Sequence, residues 1–484
     1  MDVALQDDSR VDRSAAPQEA AMFERRDPVT GAVASRAIAG RKADVDRAVE
    51  AAAGAFAAWS RTGPNERRAI LNKAADLLEA RTGAFVETCI AETGATGPWI
   101  GFNVMLGARI LREAAAMTTQ IKGEVIPSDK PGTLALAVRQ PVGVLVGMAP
   151  WNAPVILAVR AVAMPIACGN TVVLKASEMC PKTHSMVAEV LIDAGLPAGV
   201  IQVVTHAAED APEVVVALVG HPKVKRVNFT GSTRVGRIVA KLAAEHLKPV
   251  LLELGGKAPL IVLDDADIDA AVNAAAFGAF LNQGQICMST ERIIVDQAVG
   301  DAFVAAFAAK ARSLPYGDPR GPVVLGSVVS QATVERCREL IDDALAKGAT
   351  LVAGGATETT VMPATVVDNV TPDMKLFCEE SFGPIVCVVR ARDTDEAVEL
   401  ANDTAYGLSA AVFGRDIQRA MAVARRVEAG ICHVNGPTVG DEAQMPFGGM
   451  KASGHGRFGG SAGVAEFTEL RWITIEDPHQ HYPF

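Results

Sequence analysis

From residue 141 onward the sequence alternates short, almost uninterrupted β-rich runs with helical text, and few folds accept that pattern. The runs lie at 142–148, 171–174, 200–204, 226–229, 250–254 and 260–263. A strand with one wet face alternates polar and apolar residues, whereas a strand covered on both faces does not need to. Separated by helices, such strands imply a parallel sheet and an α/β fold. Similar units continue from about 290 to 435, with no internal repeat. At 484 residues the chain exceeds one ordinary core, so two or three domains are expected.

Ahead of the sheet text, Val45, Ala48, Val49, Ala52, Phe56 and Trp59 recur at helical spacing behind Asp44, read as the cap. A second helix opens at Pro64, with Ile70, Ala74, Leu77 and Leu78 on one face. Residues 1–22 are polar and unperiodic; they are expected to be disordered or loosely attached, with no secretory signal. The uncharged stretch 141–159 is interrupted by Pro150, Asn152 and Pro154, so it reads as strand, turn and helix rather than a membrane span. Near the end, 471–475 reads as a strand with no local partner, suited to an edge or to another subunit.

A formal charge of −10 argues against nucleic acid, and no like-charge run suggests a membrane surface. The eight cysteines are scattered without a C-x-x-C pair. That spacing fits neither a disulfide framework nor a metal site, and it suits a reducing cytoplasm.

Five short motifs carry chemistry. In "VNFTGSTRVGRIVA", Gly231, Ser232 and Gly236 form a small-residue turn into a helix, a plausible anion cradle or a bare turn. In "TVVLKASE", Lys175 and Glu178 follow a strand, where a ribose diol could be held; a solvated pair is the alternative. Glu253 ends an apolar strand before two glycines in "LLELGGKAP", which suits a general base or a salt-bridged strand end. Asn152, between prolines in "APWNAPV", fits an oxyanion donor or an Asx-turn. Cys287, in "LNQGQICMST", is a buried hydrophobe or a nucleophile.

Together these motifs resemble the NAD(P)-dependent aldehyde dehydrogenase superfamily, over about residues 25–475. The matching text is PWN at 150–152, LKASE at 174–178, FTGSTRVG at 229–236, LELGGK at 252–257, NQGQIC at 282–287, EESFGP at 379–384 and PFGGMKASG at 446–454. The resemblance implies Cys287 as nucleophile, Glu253 as the base that activates water, and Asn152 with the Cys287 N–H as oxyanion hole. It implies NAD as cofactor, contacted by Lys175, Glu178, Gly231, Ser232, Gly236, Glu380, Phe382 and Trp151. It further implies a Rossmann-type dinucleotide-binding domain (23–120 and 141–252) and an α/β catalytic domain (253–454). A small β oligomerisation element (121–140 and 466–484) would join a homodimer or homotetramer.

Within the superfamily the text resembles bacterial dehydrogenases of aromatic aldehydes, those of salicylaldehyde first and of vanillin less closely. Leu157, Arg160, Trp99, Phe102, Ile286, Met288, Pro437 and Thr438 are the implied substrate slot. An aliphatic or semialdehyde dehydrogenase, or a non-catalytic relative, is the alternative. Two departures stand out: Arg160 replaces a frequent aromatic residue, and Ala161 replaces a lysine. Arg160 either meets a ring oxygen in the tunnel or is a salt-bridged residue of the helix surface. The family's usual first strand is hard to find in residues 1–22.

Overall fold

The computed structural model describes residues 21–484, so the loose N-terminus expected at 1–22 falls, up to residue 20, outside the described residues. The missing first strand begins at the end of that window. β1 (Met22–Arg26) pairs antiparallel with β2 (Val33–Ile38), and three of its five residues are charged, which hides it from a hydropathy reading. Helix α1 (Lys42–Trp59) starts earlier than expected. Arg41 is its N-cap, and Asp44 sits one turn in, where its carboxylate accepts the Arg41 N–H at 2.8 Å. Asp44 therefore supplies the returning half of a capping arrangement rather than the cap itself. Helices α2 (Pro64–Ala80), α3 (Thr82–Thr93) and α4 (Gly97–Met117) follow, then β3 (Glu124–Ile126) and β4 (Leu134–Pro141).

The alternating text folds as its pattern implies. It gives β5 (Val144–Met148), α5 (Pro154–Ala167), β6 (Thr171–Lys175), α6 (Pro181–Asp193), β7 (Ile201–Val204), α7 (Ala211–Gly220), β8 (Val224–Thr230), α8 (Thr233–Glu245) and β9 (Val250–Glu253). All five strands are parallel, in the spatial order β7-β6-β5-β8-β9. The chain winds outward from β5 on one side and then returns to wind outward on the other. The strand order therefore reverses between β5 and β8, and a crevice opens outside their carboxyl ends. Helix α5 is buried along its whole length. Among the described residues no helix is long and apolar enough to cross a membrane.

A second sheet is built from β10 (Ala258–Val262), then, after α9 (Ile268–Phe280), β11 (Thr290–Asp296), β12 (Thr350–Ala353), β13 (Thr365–Asp368), β14 (Ile385–Ala391), β15 (Ser409–Phe413) and β16 (Ile431–Val434). Its order is β12-β13-β14-β11-β10-β15-β16, parallel except for the β12 edge. The two-residue β17 (Gly454–His455) then returns to pair with β9 of the first sheet. The terminal strand is longer than expected and has a partner in its own chain. β18 (Thr468–Ile475) pairs along its full length with β4, because the matching strand lies far upstream and is invisible to a local reading. Its other edge is open, with Trp472 77% exposed.

Candidate active site

Five of the candidate residues sit where the parallel strands of the first sheet end. Trp151 and Asn152 follow β5, Lys175 ends β6, Gly231 follows β8 and Glu253 ends β9. Glu253 is 1% exposed, and neither of its carboxylate oxygens has a hydrogen-bond partner among the described residues. Burial pushes its pKa up to about 7; the Cys287 thiol and the Arg160 guanidinium pull it down, and Asp441 adds to the rise. Burial, then Glu253 and Glu380, push the Cys287 thiol well above its ordinary value, against the pull of Arg160. The two glycines after Glu253 explain how these groups meet. A Cβ on Gly255 would lie 2.7 Å from Glu380 Oε2, and one on Gly256 would lie 2.3 Å from the Cys287 carbonyl oxygen. At Gly256, where the atom met is backbone, only glycine permits the approach; at Gly255 a Cβ would displace the Glu380 carboxylate. The arrangement joins a protonated thiol to a carboxyl that titrates near neutrality, a pair able to exchange a proton.

Asn152 is held by its backbone and has one amide hydrogen in use. Its carbonyl accepts from Trp99 Nε1 at 3.1 Å and from Asn282 Nδ2 at 2.9 Å, while its Nδ2 donates to the Gln285 carbonyl at 3.0 Å. The turn before Cys287 is left-handed at Asn282, Gln283 and Gly284, with φ of 49°, 56° and 69°. Such backbone costs on the order of 1–3 kcal/mol for each non-glycine residue and persists only where the surroundings enforce it. Here side-chain amides enforce it. Gln283 Nε2 donates to Ser327 O at 2.9 Å, and Gln283 Oε1 accepts the Gly326 N–H at 3.0 Å. Gln285 Oε1 accepts the Val329 N–H at 3.0 Å.

On the crevice side, Ser232 caps α8, its hydroxyl accepting the Val235 N–H at 3.4 Å. The Gly231 N–H is already given to Glu253 O at 3.0 Å, so an anion there would meet the first N–H groups of α8 instead. Gly236 lets α8 settle on β9, since a Cβ there would strike Leu254. Lys175 does not pair with Glu178; its Nζ donates to Ala176 O at 3.2 Å, and burial lowers its pKa. Trp151 and Phe382 meet edge to face, with centroids 5.7 Å apart. Glu380 accepts the Gly256 N–H at 3.0 Å, and burial, with Glu291 nearby, raises its pKa to about 8.

Half of the expected slot residues belong to the large buried core of the first domain. Trp99, Leu157, Ile286 and Met288 share one buried cluster, with Phe102 and Cys287 packed against it and Trp99 stacked on Phe102 at 5.7 Å. Pro437 is half-buried and lies outside that cluster. Thr438 is fully buried, and its hydroxyl is spent on Met288 O at 2.7 Å and Thr290 Oγ1 at 2.8 Å, so it braces the cysteine segment instead of lining open space. Arg160 is not on a helix surface. It is 6% exposed, bonded to Asp441 Oδ2 at 2.6 Å and set 4.4 Å from the Phe447 ring centroid.

Residues 15–473 match the aldehyde dehydrogenase family. The chain belongs to that family. It is 60% identical over 462 residues to a vanillin dehydrogenase of Pseudomonas fluorescens, covering 95% of this chain and 96% of the relative. A salicylaldehyde dehydrogenase of Pseudomonas putida is 51% identical over 464 residues, 96% of each chain. The crystal structure of a salicylaldehyde dehydrogenase from Pseudomonas putida G7 complexed with salicylaldehyde superposes with a TM-score of 0.95, at 50% identity and 96% coverage of each chain. The resemblance to aromatic-aldehyde dehydrogenases is borne out, with vanillin dehydrogenases both above and below the salicylaldehyde dehydrogenases in identity, at 60% and 43% against 51%.

An aldehyde dehydrogenase site also needs supports that the sequence reading missed. Lys257 Nζ meets Glu291 Oε2 at 2.5 Å, both buried, and the same carboxylate accepts the Ser381 and Phe382 N–H groups at 2.9–3.1 Å. That ion pair fixes the segment bearing Glu380 and Phe382. Lys257 was visible as the end of LELGGK, but its partner is set by the fold. Asn282, Gln283 and Gln285 stood inside a quoted motif, and their amide-rich spacing was the available signal.

Proposed function

We propose that this enzyme oxidises an aromatic aldehyde, salicylaldehyde or a related hydroxybenzaldehyde such as vanillin, to the carboxylic acid with NAD. The observation that carries the reading is the buried, unpartnered Glu253 carboxyl beside Cys287, under an apolar wall that includes Trp99 and Phe102. A flat ring suits such a wall. The names of the similar enzymes support the same substrate class.

The Cys287 sulfur adds to the aldehyde carbon as its proton passes to Glu253 or water. Charge develops on the former carbonyl oxygen, toward the Cys287 N–H and the second Asn152 amide hydrogen, the first being committed to Gln285. When bound, the nicotinamide supplies the hydride acceptor that turns the thiohemiacetal into a thioester. Glu253, as carboxylate, then takes a proton from water while that water attacks the thioester and frees Cys287. The residues fit a dinucleotide: the strand order reverses at the crevice, and Glu380 lies close enough to Cys287 to act on its thiol. Glu178 would repel a 2′-phosphate, which favours NAD over NADP by roughly 1–3 kcal/mol.

A kinetic panel tests the reading. Benzaldehyde, salicylaldehyde and vanillin should exceed short aliphatic aldehydes in kcat/KM, with NAD preferred to NADP. Aliphatic preference would overturn the substrate class, and equal efficiency with both cofactors would overturn the role of Glu178.

A further inference from the structure

Arg160 spans two environments. On one side it lines a small pocket with Met164, Glu442, Phe447 and Phe458; on the other it acts electrostatically on Glu253 and Cys287. A lone guanidinium there would demand an oxygen from the substrate, but Asp441 Oδ2 already supplies one at 2.6 Å. The Asp441 side chain is 8% exposed, and its second oxygen, Oδ1, is buried with no hydrogen-bond partner among the described residues. A buried acceptor left unsatisfied is costly, and it is the kind of group a ligand can satisfy. Arg160 brings five donors and no acceptor, and Asp441 engages it through one nitrogen, so the pair keeps spare guanidinium donors but has a single free acceptor, Asp441 Oδ1.

We propose that Asp441 is a specificity-determining residue whose Oδ1 accepts the hydroxyl proton of a phenolic benzaldehyde, while Arg160 holds Asp441 in place. The inference rests on the aromatic-aldehyde reading and adds the polarity of the ring substituent. The pair selects a neutral ring hydroxyl, a donor, over a methoxy group or a phenolate in the same position, which can only accept. Losing one hydrogen bond to a charged acceptor corresponds to roughly 10- to 150-fold in kcat/KM.

The test compares 2-, 3- and 4-hydroxybenzaldehyde with the matched methoxybenzaldehydes and with benzaldehyde, in the wild type, Asp441→Asn and Asp441→Ala. The wild type should prefer at least one hydroxy isomer over its methoxy partner by tenfold or more. In Asp441→Asn the amide oxygen can keep Arg160 while its NH2 faces the substrate. The hydroxy-to-methoxy ratio should then collapse toward one, chiefly through KM, while benzaldehyde, which reports only the changed charge beside Glu253, should move less than the hydroxy isomers. Because Asp441→Ala leaves Arg160 unpaired and can misfold, binding is also measured by calorimetry in Cys287→Ala carrying Asp441→Asn. The hydroxybenzaldehyde affinity should fall there and the benzaldehyde affinity should hold. A wild type without hydroxy preference, or equal losses for all three substrate types, overturns the proposal and leaves the aromatic reading standing. Failure of every benzaldehyde beside rapid aliphatic turnover overturns both.

Discussion

Glu253 concentrates the residue-scale account, because one burial produces both its chemistry and its cost. Its pKa of about 7 means that deacylation should strengthen as pH rises through neutrality, and kcat should follow a titration near 7 that Glu253→Gln abolishes. The folded pKa lies above the ordinary 4.5, so the native chain holds an extra proton between those values. Stability contributed by this proton is lost as pH rises from about 4.5 through 7, in total on the order of 3 kcal/mol. Thermal melts of Glu253→Gln should therefore exceed wild type at pH 8 and match it at pH 4; a constant difference at both would contradict the burial argument. Cys287→Ala should retain NAD binding by fluorescence titration and make no NADH. These residues were legible because their types are unusual where they stand, a carboxylate in an apolar strand end and a cysteine after an amide-rich turn. Asp441 was not, since a carboxylate after glycine reads as a turn, and its partner lies 281 residues away.

At the scale of elements, the active segments depend on a buried ion pair. Lys257→Met strands the Glu291 carboxylate and should cost roughly 3–5 kcal/mol, measured by urea unfolding. The Phe382 segment loses its anchor at the same time, so KM for NAD should rise more than KM for aldehyde. Equal stability with unchanged KM values would remove Lys257 from the account. The elements themselves were mostly legible, since each expected run from 142 to 263 became a strand within two residues of its predicted limits. The exceptions have local causes. Asp44 could be read as cap or as third helical residue, and only the Arg41 N–H decides between them. The charges of β1 masked a strand whose pairing with β2 outweighs its polarity.

For the whole molecule, the sequence revealed parallel sheets but not their strand orders, which depend on contacts far apart in the chain. It also left β18 without its partner β4, whose segment entered only through the resemblance. We propose that the open edge, with Trp472 and Leu470 exposed, is the subunit-joining surface that the resemblance implies. Trp472→Asp should then shift sedimentation toward monomer while the melting of the isolated subunit changes little; an unchanged sedimentation coefficient would count against it. The central claim is that the two large sheets divide one reaction, Cys287 beside β11 forming the thioester and Glu253 at the end of β9 releasing it. Rapid mixing of Glu253→Gln with NAD and benzaldehyde tests this most directly. The account predicts a burst of about one NADH per active site followed by very slow turnover. Steady turnover at the wild-type rate, with no burst, would contradict it.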